Sequence, residues 1–250
     1  MLMSHQTRVT TGLPELDDVI DGLRIGDNVV FQVNHIDVYR KYAQAFVQGH
    51  EHSGRRLIYI RFAKHPPVIA TGHNVQEFQI DADSGFETFT SQIHDIITRE
   101  GREVFYVFDS LSHLLDSWAT DSMIANFFKV TCPYLYELNT IAYFATLRNR
   151  NSFQTMAAIR DTTQVLIDVH ETPGKTYVHP LKAAGRYSPT MFLPHIAKGK
   201  RLIPLTSSGD AVSLQNASPP YEVENPERHL DYWDRLFLKA SELYLSGKLT

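Results

Sequence analysis

Five short runs rich in β-branched and aromatic residues recur along this chain: Asn28–Val33, Leu57–Phe62, Val104–Phe108, Ile141–Thr146 and Val165–Val169. The first four gaps carry apolar residues at helical spacing. Tyr42, Ala45 and Phe46 share one face of a segment reaching about His52 and stopped by Gly54. Phe86, Phe89, Ile93, Ile96 and Ile97 share another, ended by Gly101. An aromatic-rich helix is expected from Asp121, its N-cap, toward Leu138, with a kink or break at Pro133. A shorter helix is expected over Phe153–Ile159. Strands alternating with helices dictate an α/β fold with a mostly parallel sheet covered on both faces. Ahead of the first strand, Pro14 opens a short helix, Glu15–Ile20, that Gly22 closes.

After Val169 the rhythm changes. Thr172-Pro-Gly-Lys175 is a turn and Thr176–Pro180 returns as a strand, so an antiparallel hairpin closes the sheet. Residues 1–208 are thus expected to form one domain and 209–226, rich in Ser, Asn and Pro, a linker. In residues 227–250 an amphipathic helix is expected over Asp231–Leu245, with Trp233, Leu236, Phe237 and Leu243 along one side. It either docks on this domain or leads to another.

Composition narrows the function classes. A net charge of −4 without a long basic run argues against a nucleic-acid footprint. The opening MLMSHQTRV lacks the apolar core of a signal peptide, and no run nears the roughly 18 apolar residues of a membrane span. The single cysteine, Cys132, excludes an internal disulfide and fits a reducing cytoplasm.

Three segments in order carry a family pattern. Thr11-Gly12, Leu16-Asp17 and Gly22 with Gly26 stand before the first strand; Val107-Phe-Asp-Ser-Leu-Ser112 ends a central strand; Lys182-Ala-Ala-Gly-Arg186 follows the hairpin. Over about residues 8–198 this set resembles KaiC-like and RadA-like domains of the RecA superfamily. The resemblance implies a RecA-like three-layer fold and self-association in rings or filaments. It also implies that Asp109 and Ser110 stand at a Walker B position, and that Lys182 and Arg186 match positions reaching a neighbouring subunit's nucleotide site.

The phosphate loop departs from that pattern. A P-loop needs glycines whose amides wrap phosphate, a lysine, and a hydroxyl for Mg²⁺. The turn after Val33 reads Asn34-His-Ile-Asp-Val-Tyr-Arg-Lys41 and holds no glycine. Aligning Phe46 with the family's helix phenylalanine puts Tyr39 at the lysine position and Arg40 at the hydroxyl position. Asp37 adds a charge unfavourable to polyphosphate. The general-base position after the second strand reads Ala63-Lys64-His65 with Pro66-Pro67 behind it, and His65 is expected to be a solvated loop histidine. Gly174-Lys175-Thr176 spells the end of a P-loop but lies in a hairpin turn, with Val169 where the first glycine belongs.

The vestigial nucleotide site therefore comprises Asn34, His35, Tyr39, Arg40, Lys41, Asp109 and Ser110. Asp109 reads either as a Mg²⁺-water ligand or as a cap, with Ser110 or Ser112, for the following turn; loss of the loop lysine favours the cap. Arg40 and Lys41 read as charges on a solvated helix face or as replacements for the glycine cradle. Lys182 and Arg186 read as surface or interface charges. The twelve histidines show no metal-ligand spacing, and Phe127, Phe128, Tyr134 and Tyr136 read as core aromatics. The expectation is a regulatory or assembly domain that is not an enzyme, needs no cofactor and works through a protein partner or itself. The alternatives are a module holding ATP with Mg²⁺, or another anion, in an altered pocket, and an unconventional NTPase.

Overall fold

The computed structural model describes residues 8–70, 74–117 and 119–209, together with Val212 and Leu214. The predicted linker and C-terminal helix otherwise lie outside the described residues. Two short strands, β1 (Arg8–Val9) and β2 (Leu23–Arg24), pair antiparallel around α1 (Pro14–Ile20). The chain then runs β3 (Asn28–Val33), α2 (Ile36–His50), β4 (Leu57–Arg61), β5 (Gln76–Gln79), α3 (Phe86–Glu100) and β6 (Phe105–Ser110). A 3₁₀ turn (Leu111–Asp116) leads to α4 (Asp121–Glu137), β7 (Ile141–Leu147), α5 (Phe153–Thr162) and β8 (Val165–Thr172). Strands β9 (Lys175–Ala183), β10 (His195–Lys198) and β11 (Arg201–Pro204) complete the order.

The main sheet has nine strands in the order β11-β10-β9-β8-β3-β7-β6-β4-β5. From β8 to β5 every neighbour is parallel; β8 through β11 is antiparallel. This is the RecA-like three-layer α/β layout expected from the sequence. Alternation along the strands sends side chains to two cores. Val29, Phe31, Val107 and Tyr143 face α1 and α2. Val30, Ile60, Phe108 and Phe144 face α3, α4 and α5. Phe46 of α2 stacks on Tyr143 with ring centroids 4.3 Å apart, joining helix to sheet centre.

The family pattern before β3 has a packing reason. Gly12 adopts φ +82°, and a Cβ there would lie 1.9 Å from the Ala45 carbonyl oxygen of α2. Asp17 accepts from the Thr11 amide at 2.7 Å and the Thr10 hydroxyl at 2.5 Å, which folds the segment back onto α1.

Some elements differ from expectation. Edge strand β5 and the second hairpin, β10–β11, are additional. Their sequences, Gln76–Gln79 and Arg201–Pro204, are only four residues long, and pairing with a neighbour makes them strands. Pro133 interrupts nothing, since α4 continues to Glu137. The α4 N-cap is Thr120, whose side chain accepts from the Met123 amide; Asp121 instead takes hydrogen bonds from Ser152 and Thr155 at the start of α5. Tyr136 is 48% exposed rather than in the core, whereas Phe127 and Phe128 are buried. Among the described residues no helix is long and apolar enough to cross a membrane, and no three His, Cys, Asp or Glu are arranged to hold a metal ion.

Candidate functional site

In a parallel α/β sheet the carboxyl ends of the strands form the ligand-binding edge. Here that edge is made by β3, β4, β6 and β7. Helix α2 begins at Ile36 with an extended His35 as its N-cap, so only Asn34 and His35 separate strand from helix. Two residues cannot arch around a phosphate. Asn34 is spoken for, its Oδ1 accepting the Glu171 amide of β8 at 3.3 Å. His35 is exposed and makes no side-chain cap.

Tyr39 points inward from the first turns of α2. It is fully buried, packs beside Phe31, and donates its hydroxyl to the Phe108 carbonyl of β6 at 3.1 Å. Burial, with Tyr59 and Asp109 nearby, raises its hydroxyl pKa well above the usual value, so Tyr39 is a neutral donor. An aromatic ring thus reaches from α2 across to β6.

Asp109 is also fully buried, and it does not cap the following turn as expected. Its Oδ2 accepts the amides of Phe62 at 3.0 Å and Ala63 at 2.9 Å, which continue from the end of β4. Its Oδ1 accepts the Tyr59 hydroxyl. Tyr59 in turn accepts the Val68 amide at 3.1 Å, pinning the loop behind β4. The carboxylate is therefore a clamp between neighbouring strands. Burial pushes its pKa up; His65, Tyr59 and the two amides pull the other way. Ser110 Oγ is buried without a partner, and Ser112 donates to Asn151 at 2.6 Å. Neither serine fills the capping role anticipated.

His65 corrects a second expectation. Its side chain is 6% exposed, not solvated, and lies over the carboxylate with Nε2 3.7 Å from Asp109 Oδ1. Nδ1 sits 2.8 Å from the Pro66 carbonyl, which makes Nδ1 the donor. Its ring stands 4.7 Å from that of His113. Burial, with His65 adjacent, lowers the His113 pKa. Pro66-Pro67 had suggested a stiff exposed loop; the pinning by Tyr59 and Asp109 turns it inward, and no residue-type signal marks that.

The basic residues have intrachain partners. Arg40 pairs with Asp37 and donates Nε to the Pro67 carbonyl at 3.2 Å, so it ties α2 to the same loop. Lys41 remains exposed beside an open groove of about 310 Å³ shared with His35, Asp37 and Glu171. Lys182 donates to the carbonyls of Arg160 at 2.5 Å and Asp161 at 3.1 Å, capping the end of α5. Arg186 is not a surface charge. Its side chain is 1% exposed and binds Asp27 through both terminal nitrogens, at 2.7 and 2.9 Å, at the opposite edge of the sheet.

These residues do not fit a magnesium nucleotide. Both Asp109 oxygens already accept protein donors, the Tyr39 ring fills the space between α2 and β6, and the strand-to-helix turn is two residues long. Gly174, at φ +78°, lies in the β8–β9 hairpin turn, where there is no helix terminus. No protein-family model matches this chain, and no curated protein matches it either.

Proposed function

We propose that this chain is a non-catalytic RecA-like domain of the KaiC-like kind, acting as a regulatory or assembly module through protein contacts. The observation that carries the reading is Tyr39 hydrogen-bonded to Phe108 beside an Asp109 already saturated by Tyr59, Phe62 and Ala63. Metal-dependent nucleotide hydrolysis needs an open metal ligand and a group that positions the attacking water. Here the residues at those positions serve one another. The absence of a long basic run favours a protein partner, a second copy included, over nucleic acid. Cys132 is a buried free thiol, which suits a reducing cytoplasm.

Isothermal titration with Mg-ATP and Mg-ADP tests the reading, at concentrations that detect a Kd up to about 100 μM. The expected result is no heat of binding with either nucleotide. Saturable binding that disappears in Arg40→Ala would overturn it, because Arg40 would then have left Asp37 and Pro67 to hold phosphate.

A further inference from the structure

Helix α2 and the β8–β9 hairpin face each other across the open groove of about 310 Å³. His35, Asp37, Val38, Lys41 and Tyr42 form its helix wall; Glu171 and Thr176 form its hairpin wall. Asn34 joins the two walls, since its Oδ1 accepts the Glu171 amide. The walls carry opposite free charges. On the helix wall Asp37 is paired with Arg40, and Lys41 has no ion pair among the described residues. The first amides of α2 add positive potential there, because the His35 side chain does not cap them. On the hairpin wall the Glu171 carboxylate meets only the Thr176 hydroxyl, which donates to its Oε1 at 3.4 Å. Tyr42 is 5% exposed, with its ring stacked on Phe31 at 4.8 Å. Its hydroxyl is the end of that side chain that reaches the groove, and it makes no hydrogen bond among the described residues. Burial, with Glu171 nearby, raises the hydroxyl pKa well above the usual value, so Tyr42 is a neutral donor and acceptor.

We propose that this groove binds a small zwitterion, a free α-amino acid, with its carboxylate on Lys41 and the first amides of α2 and its ammonium on Glu171. The Tyr42 hydroxyl bonds one of those two groups. Charge selects the class. A simple anion would face Glu171 and Asp37, and a simple cation would face Lys41 and the positive end of α2; a ligand bearing both charges leaves neither wall unanswered. Size agrees, since the groove stands at the low end of the roughly 300–1,000 Å³ of small-molecule sites. A bond from the ligand also gives the Tyr42 hydroxyl the partner that the protein does not supply. The site shares no residue with the Tyr39–Asp109 contacts, so it stands whether or not the chain is catalytically silent.

Thermal melting of the full chain with each of the common L-amino acids tests it, at up to about 10 mM, which saturates a site with a Kd of about 1 mM. At least one amino acid is expected to raise Tm saturably. Its α-hydroxy counterpart, which lacks the ammonium, and its carboxamide, which lacks the carboxylate, are each expected to bind about tenfold more weakly or worse. Lys41 and Glu171 are exposed, so Lys41→Ala and Glu171→Gln are expected to keep the ligand-free Tm while weakening binding about tenfold. Tyr42→Phe keeps the ring on Phe31 and is expected to weaken binding about fivefold. A panel in which no amino acid shifts Tm would overturn the proposal. So would an α-hydroxy acid that binds as tightly as its amino acid, or an affinity unchanged in Lys41→Ala or in Glu171→Gln.

Discussion

The two ends of the central sheet are held in different ways. At the amino end, residues before and at the start of β3 have structural duties. Gly12 lets the entry segment touch α2, Asp17 gathers Thr10 and Thr11, and Asp27 holds Arg186. At the carboxyl end the side chains face one another: Tyr39 on Phe108, Tyr59 and His65 on Asp109. The amino end is held by a close backbone approach and a buried ion pair, the carboxyl end by side chains and amides that satisfy one another.

The largest expected effect lies at the amino end. Asp27 and Arg186 are 3% and 1% exposed, with two parallel hydrogen bonds between them and a further bond from Arg186 to the Gly22 carbonyl at 2.8 Å. Removing one partner of such a pair leaves an uncompensated buried charge. Arg186→Ala is therefore expected to cost about 3–5 kcal/mol in urea denaturation. Arg186→Lys keeps the charge but not the fork, so it is expected to recover only part of the loss. A cost below about 1 kcal/mol would break the comparison, by showing that the amino end does not anchor the fold.

How much of this was legible beforehand follows from what each feature depends on. The parallel core was legible because Asn28–Val33, Val104–Phe108 and Ile141–Thr146 are apolar on both faces, as buried strands must be. That the turn after Val33 holds no glycine was legible as residue types. The destination of Asp109 was not, because its donors are backbone amides of Phe62 and Ala63, and an amide carries no residue identity. Arg186 was misread for a related reason. Its partner Asp27 lies far away in sequence, and nothing local marks an arginine as buried. Strands β5 and β11, four residues each, depend on their neighbours rather than on their own short sequences.

A middle-sized effect sharpens the reading of the carboxyl end. Tyr39→Phe removes one hydroxyl and keeps the ring, so the buried packing persists while the bond to Phe108 is lost. The expected cost is about 1 kcal/mol, measured by the same denaturation. Nucleotide titration of this variant is expected to stay silent, because the ring still fills the space between α2 and β6. A Tyr39→Phe chain that bound Mg-ATP would show that the hydroxyl alone had kept the site shut.

The smallest effect per group is a pH dependence with opposing parts. Burial lowers the pKa values of His50, His94, His113 and His195 from the ordinary 6.5. Each therefore contributes stability that is present above pH 6.5 and is lost as pH falls through its folded value, since the folded state binds the proton later than the unfolded chain. Asp109 runs the other way. Its pKa is raised by burial from 3.8, so its contribution is present below that value and is lost as pH rises through the folded one. His50 and His195 are buried and His94 and His113 half-buried, and each adds a modest share. Melting followed by circular dichroism is expected to show Tm declining from neutral pH toward about pH 5. The decline should be shallower in His113→Gln, which removes one of the late-binding rings. It should be steeper in Asp109→Asn, which removes one of the two carboxylates among the described residues that gain from acid, the other being Asp168. An Asp109→Asn profile parallel to that of the unaltered chain would mean that the clamp at the carboxyl end holds its strands without strain from the buried charge, and the two ends of the sheet would then differ in geometry but not in electrostatics.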